Sequence, residues 1–163
     1  MITQGARITG LCPECRATLV YEVGQWIERG VLWWGSEGGC GRCAHGWCER
    51  NQGPVVTPEW VRQALLTAHG AARLSLADAR TGLVPVLRAL RAAEDLTIAA
   101  ARARAAELAG TGLVGTLVEM ESLARALRDR GVAVAVGPAA GTPRRGRLRP
   151  PDAVQRGRNV EGG

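Results

Sequence analysis

Two Cys-x-x-Cys pairs constrain this chain more than anything else in it. Cys12-Pro13-Glu14-Cys15 is followed, after 24 intervening residues, by Cys40-Gly41-Arg42-Cys43. Such a turn presents two thiolates to one ion, with backbone N–H groups aimed at the sulfurs, and two turns complete a tetrahedron. All five cysteines fall between residues 12 and 48. Residues 1–10 hold no apolar core of a secretion signal, so metal ligation is expected rather than a disulfide framework. The spacing predicts one structural Zn2+ held by Cys12, Cys15, Cys40 and Cys43. Either His45 or Cys48 can stand in for one of the four. The simpler reading makes Cys48 a small buried residue on a strand Gly46–Arg50 and leaves His45 at the surface. Four thiolates leave no open coordination position, which argues against a catalytic metal.

Between the pairs, Ala17–Val23 reads as a strand with Leu19 and Tyr21 on one face, and Val31–Trp34 as a second. Gly35 to Gly39 reads as a turn that returns the chain to the second pair. This arrangement resembles a zinc ribbon, over roughly residues 10–50. A core so small needs the folding free energy that a metal supplies. Trp26, Trp33, Trp34 and Trp47 fall in the same stretch. Adjacent Trp33 and Trp34 point to opposite faces of a strand. Whether one of them is exposed, as a stacking or docking residue, stays open.

The chain divides into a ribbon (residues 1–53), a connecting helix (54–71), an α/β domain (72–136) and a tail (137–163). The helix starts at Thr57-Pro58-Glu59, a capping Thr with Pro at the first helical position. It places Trp60, Val61, Ala64, Leu65 and Ala68 at helical spacing and stops at Gly70. Beyond it, Ala72–Ala77 alternates as a strand. Leu83–Ala93 is helical, with Pro85 tolerated in the first turn. Thr97 caps a second helix through Leu108, with Ile98, Ala101, Ala105 and Leu108 inside. Leu113-Val114 makes a short strand. Thr116-Leu117-Val118-Glu119 is a capping box, opening a helix with Met120, Leu123 and Leu127 inside. Val132–Val136 is a strand with three Val on its buried face.

Residues 72–136 resemble the C-terminal domain of the bacterial ribosomal stalk protein. The likeness rests on Leu123-Ala-Arg-Ala-Leu-Arg-Asp-Arg-Gly-Val-Ala-Val-Ala-Val136 and on Val84-Pro-Val-Leu-Arg-Ala-Leu-Arg91. Together with the ribbon, the order of elements gives an α+β fold: a small β zinc ribbon followed by a β-α-α-β-α-β two-layer sandwich like that domain. The likeness also implies a protein-binding surface on the first two helices, at Val84, Leu87, Arg88, Arg91 and Arg102. The family recruits translation GTPases, and the same fold serves as an adaptor for a Clp-type protease. Leu83 and Ala99 stand where the family has Lys, and Asp95 and Thr97 where it has two glycines. The family's dimerisation region and hinge are replaced by the ribbon, so the chain does not read as a stalk subunit itself.

Charge narrows the function classes. The net charge is +6, and every basic residue is Arg. With no Lys, Schiff-base and P-loop lysine chemistry are excluded. Residues 1–53 carry five Arg and five Glu; residues 137–163 carry six Arg and two acids. The tail, rich in Gly, Pro and Arg, reads as disordered. Its run Arg144, Arg145, Arg147 and Arg149 is either a phosphate-contacting element or a solubilising one. His45 and His69 are the only histidines, and neither joins a recognisable catalytic constellation. No apolar run spans a bilayer. The sequence therefore reads as a cytoplasmic, non-enzymatic zinc-binding adaptor or regulator that binds another protein, in translation or proteolysis. The alternative is a nucleic-acid-binding regulator using ribbon and tail. No membrane and no small-molecule substrate is expected.

Overall fold

The computed structural model describes residues 2–52, 57–78 and 80–139. The fold is α+β, with two antiparallel sheets and four helices among the described residues. The first sheet is a meander of β1 (Thr3–Leu11), β2 (Thr18–Glu28), β3 (Val31–Cys40) and β4 (Gly46–Gln52), ordered β1-β2-β3-β4. A meander alternates its turns between two ends. Both Cys-x-x-Cys segments thus lie at one end, in the β1–β2 and β3–β4 connections. Arg29 and Gly30 make the β2–β3 turn at the other end, with φ of 51° and 81°. Positive φ at both central residues matches the twist of paired strands, and it sets Glu28 opposite Val31 and Trp26 opposite Trp33.

The strands are longer than the sequence suggests. Residues 3–11, given no element, form β1, with Gln4, Ala6, Ile8 and Gly10 half-buried between exposed neighbours. The expected turn at Gly35–Gly39 is the second half of β3. These glycines make room for aromatic rings. A Cβ at Gly38 would stand 2.6 Å from Tyr21 Cβ and 2.8 Å from Trp47 Cη2, and one at Gly35 would stand 3.3 Å from Trp26 Cη2. Gly38→Ala is expected to cost about 1–3 kcal/mol in a urea melt, as overpacking does. Gly39→Ala meets nothing within 4 Å and should be neutral or slightly stabilising, because it narrows the unfolded ensemble.

One face of this sheet is covered. Leu19, Tyr21, Val23, Gln25 and Ile27 alternate inward along β2. Helix α1 (Glu59–His69) lays Val61, Ala64 and Leu65 into the same cluster as Leu19, Tyr21, Val23 and Trp34. Trp60 packs edge-on to Tyr21, while Ala68, expected inside, is exposed. Thr57 does not cap α1: the N-cap position is Pro58, without a side-chain hydrogen bond. The Thr57 hydroxyl instead accepts from Gln25 Nε2 at 2.8 Å.

The second unit runs β5 (Ala72–Leu76), α2 (Leu83–Glu94), α3 (Ile98–Ala109), β6 (Leu113–Gly115), α4 (Leu117–Arg128) and β7 (Val134–Pro138). Its sheet is ordered β6-β5-β7, antiparallel throughout. Leu74, Leu90, Leu108, Leu113, Leu127 and Val132 centre its core. Thr97 caps α3 by accepting from Ala100 N, and Thr116 and Glu119 form the capping box of α4. Ile98, expected inside α3, is exposed. It is the first helical residue and lies beyond the buried stripe of Ala101, Ala105 and Leu108. β7 pairs from Val134 onward, two residues later than expected.

The two units are joined through a buried polar cluster. Gln25 is fully buried; its Nε2 donates to Thr57 Oγ1 and, at 3.2 Å, to Glu119 Oε1, while its Oε1 accepts from Thr116 Oγ1 at 2.5 Å. Glu119 also accepts from Arg62 Nε at 2.7 Å and from Thr116 N at 3.1 Å. One carboxylate thus gathers β2, α1 and α4. Among the described residues, no helix is long and apolar enough to cross a membrane.

Candidate metal centre

The four predicted cysteines meet at one end of the ribbon sheet. Their Sγ atoms all lie within 4.8 Å of one another. Cys12 Sγ is 3.6 Å from Cys43 Sγ, and Cys15 Sγ is 3.5 Å from Cys40 Sγ. A tetrahedron of thiolates at about 2.3 Å from a central ion has edges of about 3.8 Å, so the cluster is able to hold one metal ion. Neither His45 nor Cys48 belongs to it. His45 instead accepts a backbone hydrogen bond from Cys40 N at 2.9 Å, which closes the second turn. Cys48, expected to be buried, is exposed on β4.

Local backbone geometry shapes each turn. In the first, Arg16 N donates to Cys12 O and Cys12 N to Ala17 O, with Arg16 at φ 61°. In the second, Arg42 N donates to Cys40 Sγ at 3.4 Å. That N–H is the main reason the Cys40 thiol is lowered to about 6. At Cys43 the backbone of His45 favours the thiolate, but burial and the thiols of Cys12, Cys15 and Cys40 outweigh it and push the thiol up to about 12. At Cys15 the Ala17 backbone likewise favours the thiolate and is outweighed by the Cys40 thiol and burial. Four thiolates this close repel, and a divalent cation relieves that repulsion. Cys12 is fully buried, and the other three pack against the cluster that α1 completes. The centre is thus part of the ribbon core.

No family model matches the chain, and comparison with curated proteins and with solved structures finds no significant match. The centre and the exposed faces are therefore read from their own geometry.

The other predicted residues are spread over two places. On α2, Val84 is 57% exposed beside Leu83 at 56%, Leu87 is half-buried against the core, and Arg88 and Arg91 are exposed. Arg91 Nε donates to Leu96 O, bracing the turn into α3. Arg102 is exposed on α3. Arg104 pairs with Glu94 at 3.0 Å. Arg144, Arg145, Arg147 and Arg149 lie outside the described residues.

The sequence left open whether Trp33 or Trp34 is exposed as a stacking residue, and it did not group Trp26 and Arg50 with them. Trp26, Trp33 and Arg50 meet on the open face of the ribbon sheet, while Trp34 turns inward and is 2% exposed. The Arg29-Gly30 turn was the available signal. A two-residue hairpin there fixes the pairing of Trp26 with Trp33.

Proposed function

We propose that this chain is a non-enzymatic adaptor or regulator, built on a structural zinc ribbon, that binds a protein partner through α2. The single observation that carries the reading is the exposed stripe on that helix. Leu83 and Val84 stand in solvent at its start, and Arg88 and Arg91 follow at helical spacing. Among the described residues, neither Arg88 nor Arg102 has an ion-pair partner. An apolar start followed by free cations suits an acidic amphipathic helix. The likeness of residues 72–136 to the stalk-protein domain, whose first two helices bind partners, supports the same surface. Zn2+ suits a set of four soft thiolates at tetrahedral spacing, and a site closed by four ligands serves folding rather than catalysis.

The test is direct. Immobilised full-length protein should retain a discrete protein partner, and Val84→Asp with Arg88→Glu should weaken that capture at least about tenfold, as a charge reversal within a contact does. Both residues are exposed, so the melting temperature should stay within about 2 °C. Unchanged capture by the double variant would remove α2 as the binding surface.

A further inference from the structure

The face of the ribbon sheet opposite Tyr21 and Val23 has a feature that neither the metal centre nor α2 uses. Trp26 and Trp33 stand opposite each other on β2 and β3, with rings parallel to within 8° and centroids 6.3 Å apart. Arg50 on β4 lays its guanidinium over both rings, 5.0 Å from the Trp26 centroid and 4.6 Å from the Trp33 centroid. Glu28 holds that guanidinium by a 2.8 Å ion pair. Trp33 and Arg50, with Glu28, Arg29 and Val31, line an open depression of about 560 Å³.

Packing accounts for part of this arrangement: Trp26 lies against Gly35, and Arg50 covers both rings. The ribbon's other aromatic side chains serve the covered face: Trp34 is buried, and Trp47 and Trp60 contact Tyr21. Trp26 and Trp33 stay half-exposed, with Gly24 paired to Gly35 beside them. No side chain rises from that glycine pair to cover the rings. Arg29, at the tip of the turn, is exposed and has no ion-pair partner among the described residues.

We infer that this face binds single-stranded nucleic acid, with a base displacing the Arg50 guanidinium from the Trp33 ring and the neighbouring phosphates met by Arg29. Aromatic platforms on a flat sheet take unpaired bases, whose π-faces a duplex hides. The exposed Arg29 favours an anionic ligand over an apolar peptide, and the Trp26–Trp33 pair favours a base over an acidic side chain. Of the acids on this face, Glu28 is paired with Arg50 and Glu22 with Arg7 at 3.2 Å, while Glu37, opposite Glu22, is exposed and has no ion-pair partner among the described residues. The whole chain carries +6, of which +4 lies in residues 137–163. This site is separate from the α2 surface, and it stands whether or not α2 binds a protein.

The experiment uses the full-length, metal-loaded chain, a fluorescein-labelled dT12 and a 12-base-pair duplex. Anisotropy and tryptophan quenching are followed from low to moderate salt. The expected result is binding of dT12 with quenching, and duplex binding at least about tenfold weaker. Trp33→Leu should lower dT12 affinity about tenfold and remove most of the quenching, the usual effect of losing one stacked base. It should leave the salt slope unchanged. Arg29→Asn keeps a residue tolerant of the left-handed turn and should reduce the salt slope by about one. Replacing Arg144, Arg145, Arg147 and Arg149 by Ser should flatten the slope further while leaving the quenching intact. Metal content equal to wild type checks that each variant is folded; should Trp33→Leu fail that check, Arg29→Asn decides. The inference is overturned by no binding at low salt, by equal binding of duplex, or by binding that depends only on the four tail arginines.

Discussion

Stripping the metal is expected to unfold the ribbon and leave the second unit standing. Cys12 sits inside the cluster that includes Leu19, Tyr21, Trp34 and Leu65, and the other three cysteines pack against it, so losing a bound ion would loosen that end of the core. A structural Zn2+ contributes on the order of 10 kcal/mol to small thiolate domains at neutral pH, comparable to the whole stability of a typical domain. The second unit has a separate core around Leu74, Leu90, Leu108 and Leu127. Near-UV circular dichroism should therefore collapse on chelation, because all five Trp lie in residues 26–60. Most far-UV helical signal should persist, carried by α2, α3 and α4. Cys40→Ser should reproduce the collapse. Cys48→Ser should retain one metal per chain, because Cys48 lies outside the cluster. A complete metal loss, verified by elemental analysis, with no change in near-UV signal would show that the ribbon folds without an ion. Acidification should release the metal as well, since protons compete for the thiolates.

The second large effect is expected at Glu119. Its carboxylate accepts from Arg62, Gln25 and the Thr116 backbone. The Arg62 and Glu119 side chains are 27% and 18% exposed, so water replaces those partners poorly. Glu119→Ala removes half of a capping box and leaves the Gln25 amide and the Arg62 guanidinium short of partners. A lost cap costs about 1 kcal/mol and an unsatisfied buried polar group about 1–3 kcal/mol. Together they predict about 2–4 kcal/mol, or about 5–15 °C in melting temperature for a chain this size. Arg7→Ala, which breaks an exposed pair with Glu22, should shift stability by less than about 0.5 kcal/mol. Equal effects of the two substitutions would show that the buried cluster contributes no more than a surface pair.

The four-cysteine cluster was legible because its signal is local. Ligand type and spacing survive any uncertainty about strand ends, and the four cysteines meet as the spacing predicts. Helix starts with side-chain caps were legible for the same reason, at Thr97 and Thr116. What failed was decided by distant partners. Gly35 and Gly38 read as turn residues because nothing in their own segment shows the Trp26 and Trp47 rings that need their missing Cβ atoms. Thr57 carries the local marks of a cap, yet its hydroxyl goes to Gln25, 32 residues earlier. Gln25 itself gives no signal, since a glutamine amid strand residues ordinarily faces water. Ile98 fits a helical apolar pattern but falls at the first turn of α3, where the stripe has not yet met the core.

The Gln25 cluster has a mechanical consequence. A polar knot that ties β2, α1 and α4 together makes the two units a single lever rather than beads on a flexible tether. The Trp33 face and the α2 stripe are then held at one fixed separation and angle. A bivalent partner engaging both would lose no linker entropy on its second contact, so its gain would depend wholly on whether its own spacing fits. A partner of the wrong geometry would gain nothing from the second site, however well each site bound alone.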